Sequence, residues 1–520
     1  MKKFFLQHSL FGACLLLLFL SLFSSCANRT PLQPDARFSS AEDYLERRQE
    51  LLRTDSLMAF DADIRLNAKE QSVNQKLVRL REDMIDEYLE EGFFPPTHDF
   101  LPSKSHIEQT RLYRLLQKMP KGGMLHLHGS AGADFEWLID KAISLPNCYV
   151  YWEEDRGEYI KGQLRFFRPE AAPEGFYEVS ELAANQPDFE EEMYELLVLE
   201  DEMAQDSIYI WDEFDRVFQR LGGFYSYQPV FKEYNRVVID TLLADGLQHV
   251  EFRVIPRAGL YDLEHPPAYY NADTVLTYLQ ELEQEVQQDF PAFSLKVIYT
   301  FLRFFPEEVV AEELEKAYYY RSKYPELVKG FDLVAEEDDG NTTLYFLDAW
   351  MKMDSLQKVY DTDMPLYLHD GESNWYTVKN LYDAVMLDSR RIGHGYNLNF
   401  YPVLQQLIKQ KDICLEVCPL SNQILGYVQD LRVHPANYLI RRGVQITINS
   451  DDPAIFGYNG LSYDYWSILL AWQLDLQAIK KLAMNSLTYS SLSEEEKEAA
   501  LAHWQQEWNK FINYADEVLE

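Results

Sequence analysis

PLYLHDGE (365–372), RIGHG (391–395), ICLEVCPLSN (413–422) and VQITINSDDP (444–453) are four short apolar runs, each ending in polar, chemically capable residues. Four similar runs lie upstream: GMLHLH (123–128), HVEFRVIP (249–256), LKVIYTFLR (295–303) and LVKGFDLVAEE (327–337). Most are rich in β-branched or aromatic residues. From the second onward they recur roughly every 20–45 residues with helical stretches between them, the length of a βα unit. Eight such units predict an α/β chain closed into a (β/α)₈ barrel rather than an open doubly wound sheet. No glycine-rich dinucleotide fingerprint or P-loop follows any of the runs.

The gap between the first and second runs is too long for one crossover helix. Its aromatic, acidic stretch predicts a subdomain inserted at about 147–201, near the barrel mouth. Upstream of the barrel (111–520), residues 26–110 read as a helical extension, with Ser40–Asp43 as a capping box and apolar positions at three- and four-residue spacing. That extension is too polar for a core of its own and should dock on the barrel or on a second subunit. Lys2 and Lys3, an apolar run from Leu10 to Phe23, and Ser24-Ser25-Cys26 predict an export signal over 1–25. The small residues before Cys26 resemble a lipobox, with Phe23 where leucine is usual. A lipid anchor at Cys26 and simple secretion are the two readings.

A net charge of −37, from 48 Lys+Arg against 85 Asp+Glu, repels polyanions and excludes nucleic acid as a partner of the body. Past the signal and Cys26, the interior cysteines are Cys148, Cys414 and Cys418, too few and too odd for a disulfide framework.

Polar residues at the strand ends carry the chemistry. His126 and His128, two apart on one strand, face the same side. His369 closes the fifth run and Asp451 the eighth. Because all C-terminal strand ends of a barrel open onto one face, three histidines and a carboxylate form a candidate site for one zinc ion with room for water. Glu372, just past its strand, is placed to act as an acid. His394, between Gly393 and Gly395, is placed to orient or deprotonate a water. Asp452 adjoins Asp451 and is read either as a ligand contact or as a helix N-cap. Arg253 is expected to pair with Glu251 on its own strand face, and Arg303 stands as a candidate phosphate contact. Glu336, Glu337, Asp338, Asp339 and Asp370 are expected beside the mouth.

At MPKGGMLHLH (119–128), GFDLVAEED (330–338), LHDGES (368–373), RIGHGYNL (391–398), EVCPLSNQIL (416–425), TINSDDPAIFG (447–457) and LSYDYW (461–466) the sequence resembles the adenosine deaminase family, most closely its secreted growth-factor branch. The resemblance implies a zinc-dependent barrel that converts adenosine and 2′-deoxyadenosine to inosine and deoxyinosine. It makes His126, His128, His369 and Asp451 the metal ligands, Glu372 the acid at purine N1, His394 the water-activating histidine and Asp452 the N7 contact. It further implies Trp211 closing over the nucleoside, Ala335 offering its backbone N–H to a purine nitrogen, and a homodimer formed through the extension. Departures are visible: Gly129 and Ser130 follow His128 where many members carry an aspartate, and Ala335 stands where glycine is usual. The alternatives are a related deaminase of another aminopurine or of adenosine 5′-monophosphate, or an adenosine-binding signalling protein.

Overall fold

The computed structural model describes residues 37–199, 210–266 and 268–519. The signal at 1–25 and Cys26 lie outside the described residues. Eight parallel strands build the barrel. β1 (Gly122–His128), β2 (Leu247–Val254), β3 (Ser294–Leu302) and β4 (Val328–Val334) pair in that order, as do β5 (His369–Asp370), β6 (Arg391–His394), β7 (Cys414–Val417) and β8 (Ile446–Ile448). Two parallel bridges, Phe331–Leu366 and Leu127–Asp451, join these halves and close the ring. The first junction requires Gly330, because a Cβ there would lie 2.3 Å from the Tyr367 ring. Val, Ile, Leu and Phe fill the strands, and every residue of β2, β4, β6, β7 and β8 is buried.

Between β1 and β2 the chain forms an antiparallel sheet in which Cys148–Tyr151 lies between Leu164–Phe166 and Phe176–Glu178. Two short helices follow, Val179–Asn185 and Phe189–Leu197. A longer helix, Ile210–Tyr225, packs so tightly on Leu164–Phe166 that a Cβ on Gly223 would meet the Leu164 carbonyl at 2.2 Å.

In chain order the helices used below are α1 (Ala41–Ser56), α2 (Ala68–Glu91), α3 (Ile210–Tyr225) and α4 (Glu494–Val518). α1 belongs to a small unit ending at Leu57. Ser40 caps it by accepting from Asp43 N, but the Asp43 carboxylate takes the N–H of Ser39 and not of Ser40, so the expected capping box does not close. From Met58 onward the chain is one compact unit. The reason lies in α2. Its capping glutamate, Glu70, is buried and also accepts from Lys480 Nζ (2.6 Å) and from Trp508 Nε1 in α4 (2.8 Å), while Val73, Leu77, Met84 and Tyr88 enter the core. No helix among the described residues is long and apolar enough to cross a membrane.

Candidate active site

The ends of β1, β5 and β8 bring four donors together. His126 Nε2 and His128 Nε2 lie 3.1 and 3.3 Å from Asp451 Oδ1, and the His126 and His369 rings are 4.4 Å apart. One ligand atom from each of His126, His128, His369 and Asp451 lies within 4.8 Å of all the others. Backbone geometry at the barrel closure makes this possible. Asp451 N donates to His126 O and His128 N donates to Asp451 O, while Asp451 itself adopts φ 64° as the chain leaves β8. That turn frees its carboxylate from the alternation of a regular strand.

A buried ionic lattice inside the barrel aims the imidazoles. His126 Nδ1 meets Glu416 Oε2 at 2.8 Å, and His369 Nδ1 meets Asp332 Oδ2 at 2.7 Å. Each carboxylate fixes the ring and leaves Nε2 for the centre. Arg253 donates to Asp332 (2.8 Å), to Leu125 O (2.7 Å) and to Glu416. Arg391 bridges Glu416 (2.6 Å) and Glu251 (2.5 Å). Arg253 is thus an internal ion-pair residue, but its partners are Asp332 and Glu416. Glu251 pairs with Arg391 instead, across the barrel interior and not along one strand. Burial would raise the Glu416 carboxyl, but Arg253 and Arg391 together hold it well below the usual carboxylate range.

Glu372 and His394 stand beside the donors. Glu372 is buried, and its backbone N–H donates to Glu337 Oε1 at 2.6 Å. Burial, followed by repulsion from Asp451 and Glu337, pushes its carboxyl well above the normal range and so keeps it protonated. Burial also pulls His394 down to about 3 and His369 well below its ordinary value, leaving both rings neutral. His394 Nδ1 lies 3.3 Å from Asn422 Nδ2 and 3.4 Å from Glu372 Oε1. Its Nε2 is buried without a hydrogen-bond partner, 3.9 Å from Asp451 Oδ2. Gly393 permits this crowding, since a Cβ there would lie 3.1 Å from His126 Cε1. Asp452 is buried, caps no helix, and is pushed well above its normal range by burial and by Asp451.

A cavity of about 440 Å³ opens from these groups and includes His128, His369, Glu372, His394, Asp451 and Asp452 in its wall. Trp211 and Ala335 line it too. Trp211 Nε1 donates to Tyr427 OH at 3.1 Å, and Ala335 sits at φ 90°. Arg303 is not free for a ligand: fully buried, it donates to the carbonyls of His369 (2.5 Å), Leu333 and Asn341 (both 3.3 Å) and lies 3.6 Å from Asp370. Asp370 and Glu337 are likewise internal and not at the mouth. Asp370 accepts from Thr343 Oγ1 (2.6 Å), and Glu337 holds Glu372 N and Asn380 Nδ2. Sequence reasoning missed Asp332, Glu416, Arg391 and Ser421, whose Oγ donates to Asp451 Oδ2 at 2.8 Å. A carboxylate inside an apolar strand is the available signal for Asp332 and Glu416, whereas Arg391 opens its strand beside Arg390 and carries no such mark.

The donor set fits a metal ion. His126 Nε2 and Asp451 Oδ1 are buried without a hydrogen-bond partner although they lie 3.1 Å apart, and three imidazoles with one carboxylate suit zinc. A second set, His126, His394, Cys418 and Asp451, meets the same distance criterion. Cys418 does not line the cavity, its thiol donates to Glu416 O, and burial pushes that thiol far up, so an ion there would face no substrate.

Residues 198–506 match the family described as "Adenosine deaminase", and residues 15–116 match "Adenosine/AMP deaminase N-terminal". The chain is 32% identical over 478 residues to "Adenosine deaminase 2" of Dictyostelium discoideum, covering 91% of this chain and 87% of that protein. It is also 32% identical over 496 residues to "Adenosine deaminase 2" of Homo sapiens, covering 91% and 94%. Among solved structures it resembles an adenine deaminase from Arthrobacter aurescens (TM-score 0.53, 21% identity, 75% of this chain and 99% of that one). It also resembles a zinc-bound amidohydrolase from Burkhoderia ambifaria (TM-score 0.52, 15% identity, 81% and 99%). These two likenesses show a shared fold.

Proposed function

This chain belongs to the adenosine deaminase family of hydrolytic deaminases, and we propose that it converts adenosine and 2′-deoxyadenosine to inosine, deoxyinosine and ammonia with one zinc ion per chain. The observation that carries the reading is the convergence of His126, His128, His369 and Asp451 beside a protonated Glu372 and a neutral His394 in one cavity. His126, His128, His369 and Asp451 would hold the zinc ion, which would supply a water acidified toward a pKa of ~7. The chain's own groups then direct that water. His394, neutral and with a free Nε2, orients it and takes its proton. Glu372 gives a proton to purine N1, which makes C6 electrophilic as the water oxygen bonds to it. Asp452, kept protonated by burial, donates a hydrogen bond to N7. The proton taken up by His394 passes to the amino group, which departs as ammonia, while the remaining hydroxyl proton returns to the Glu372 carboxylate as the C6 carbonyl forms. Ala335 N–H meets a second purine nitrogen and Trp211 closes the cavity.

The competing substrate is adenosine 5′-monophosphate. Favouring the nucleoside is the commitment of both nearby guanidiniums, Arg253 and Arg303, to internal partners. Incubation with adenosine should produce the absorbance shift from adenosine to inosine, and exhaustive chelation should abolish it. No shift, full activity after chelation, or two metals per chain by elemental analysis would each refute the reading.

The export signal, the Cys26 anchor and a homodimer complete the proposal. Cys26→Ser should move the protein from the membrane fraction to the soluble one, and sedimentation should report two chains. A wild-type protein that is soluble with a different mature start removes the anchor.

A further inference from the structure

The cavity that holds the metal donors is polar at that pole and largely apolar elsewhere. Phe214, Phe218, Ile255, Leu260, Leu302 and Phe304 contribute much of the remaining wall. A nucleoside carries up to three sugar hydroxyls, each a donor that costs free energy when buried without an acceptor. Most of the polar side chains away from the pole are already engaged. Arg253 is held by Asp332 and Glu416, Ser226 Oγ donates to Gly222 O, and Thr300 Oγ1 donates to Ile298 O. The loop after His128 offers Gly129 and Ser130, with no carboxylate.

Apart from Tyr225, whose hydroxyl is turned to Asn235, two longer polar side chains remain. Asp215 and Gln219 line the cavity from α3, and among the described residues neither side chain makes a hydrogen bond or ion pair. They are one helical turn apart, and Trp211 lies one turn before Asp215, so the three form a stripe along one face of one helix. The stripe therefore presents an indole, a carboxylate and an amide in succession to the same cavity. A carboxylate only accepts, and its two oxygens can take both donors of a vicinal diol.

We propose that Asp215, seconded by Gln219, reads the 2′- and 3′-hydroxyls of the sugar, so that the enzyme selects ribonucleosides over 2′-deoxynucleosides. This assignment rests on the nucleoside reading above and names the part of the substrate that the metal pole does not recognise. Burial, followed by repulsion from Asp212, pushes the Asp215 carboxyl up to about 6, so near neutral pH it is largely ionised yet poorly solvated, a state that sugar hydroxyls relieve. Placement on an inserted wall and not on a strand end separates sugar selection from the chemistry.

The test measures kcat/KM of the zinc-loaded, full-length enzyme for adenosine, 2′-deoxyadenosine and 3′-deoxyadenosine. Wild type should favour adenosine over both deoxy substrates by at least ~10-fold, the scale of a lost hydrogen bond to a charged group. Asp215→Ala should shrink that ratio by at least ~10-fold, with adenosine suffering the larger loss. Gln219→Leu should shrink it less, and Asp215→Asn should fall between. Zinc content and thermal midpoint, measured alongside, should match wild type in all three variants. An unchanged ratio, or equal losses on all substrates, overturns the assignment while leaving the nucleoside reading intact. Failure of wild type to act on adenosine overturns the nucleoside reading itself, and this inference with it.

Discussion

The two ends of the catalytic cavity are built on opposite principles. At the metal pole the side chains are fixed from behind, while the atoms facing the cavity stay free: the His126 and His369 rings are each held by a carboxylate, and those carboxylates are held by Arg253 and Arg391. At the α3 wall the lining is largely apolar, and two of its polar side chains, Asp215 and Gln219, have no partners among the described residues. A lattice fixed in advance suits chemistry, where donors must be in place before the transition state. A wall with uncommitted acceptors suits substrate choice, because its hydrogen bonds wait for the ligand. Four substitutions or substrates probe that division: two at the pole and the lattice behind it, one at the α3 wall and one where the two meet.

The largest effect belongs at the pole. Glu372→Gln keeps the shape and removes the proton donor. Turnover should fall by at least ~10², while zinc content by elemental analysis stays at that of wild type. Near-normal turnover would break the comparison at its stronger end. Loss of zinc in this variant would show instead that Glu372 supports the metal site.

The lattice behind the pole should show its commitment as stability. Burial alone would raise the Glu251 carboxyl, but Arg391 and His249 outweigh it and pull it down to about 2. Because the folded value lies below that of the unfolded chain, the stabilisation is complete above the ordinary glutamate range of ~4.3. It drains away as pH falls toward 2. Glu251→Gln leaves Arg391 with one carboxylate in place of two and should cost about 3–5 kcal/mol near neutral pH. The deficit against wild type should narrow in acid. Denaturant unfolding at several pH values measures both, and a pH-independent deficit would remove the ionic interpretation.

How far each end was legible from residues alone follows the same division. The barrel could be read because eight runs alternate with helices, and the donor set because its members sit at strand ends within recognisable motifs. From β4 onward the strands are shorter than the runs. β5 is only His369–Asp370 and β8 only Ile446–Ile448. Pairings across the barrel were not legible. Arg253 was matched to Glu251 by strand alternation, whereas a closed barrel lets a side chain cross to a strand distant in sequence, here to Glu416 on β7. Arg303 looked free because its partners are mainly backbone carbonyls, which no sequence pattern marks. Asp215 gave no signal either, since a carboxylate on an amphipathic helix reads as a solvated face until the cavity is seen.

At the α3 wall the sharper test uses charge. Adenosine should be preferred over its 5′-monophosphate by at least ~10²-fold in kcat/KM, a difference of about 2.7 kcal/mol. Arg253 is the one cationic side chain lining the described cavity and is already paired, so a phosphate would bring charge next to Asp215 with no free cation to meet it. Comparable kcat/KM values in direct competition would mean that the wall tolerates a dianion, and would move the protein to the alternative substrate.

The smallest effect lies where the two ends meet, at Ala335. The residue follows β4, lines the cavity and holds φ 90°, a conformation in which an L side chain crowds its own backbone. Such a position costs of order 1–3 kcal/mol for a residue with a Cβ. Glycine removes that strain but adds ~0.5–1 kcal/mol of unfolded-state entropy, so Ala335→Gly should stabilise the protein by about 1 kcal/mol. The same change removes a methyl group from the wall beside the proposed purine contact. If the methyl only narrows the approach, KM for adenosine should change by less than ~3-fold and kcat should stay constant, because a displaced methyl is worth under ~1 kcal/mol. A fall in kcat with stability raised would mean that the strained backbone aims its N–H at the reacting ring, so that the commitment seen at the pole extends one residue further into the wall. Unfolding curves and steady-state kinetics on the same preparation separate the two outcomes.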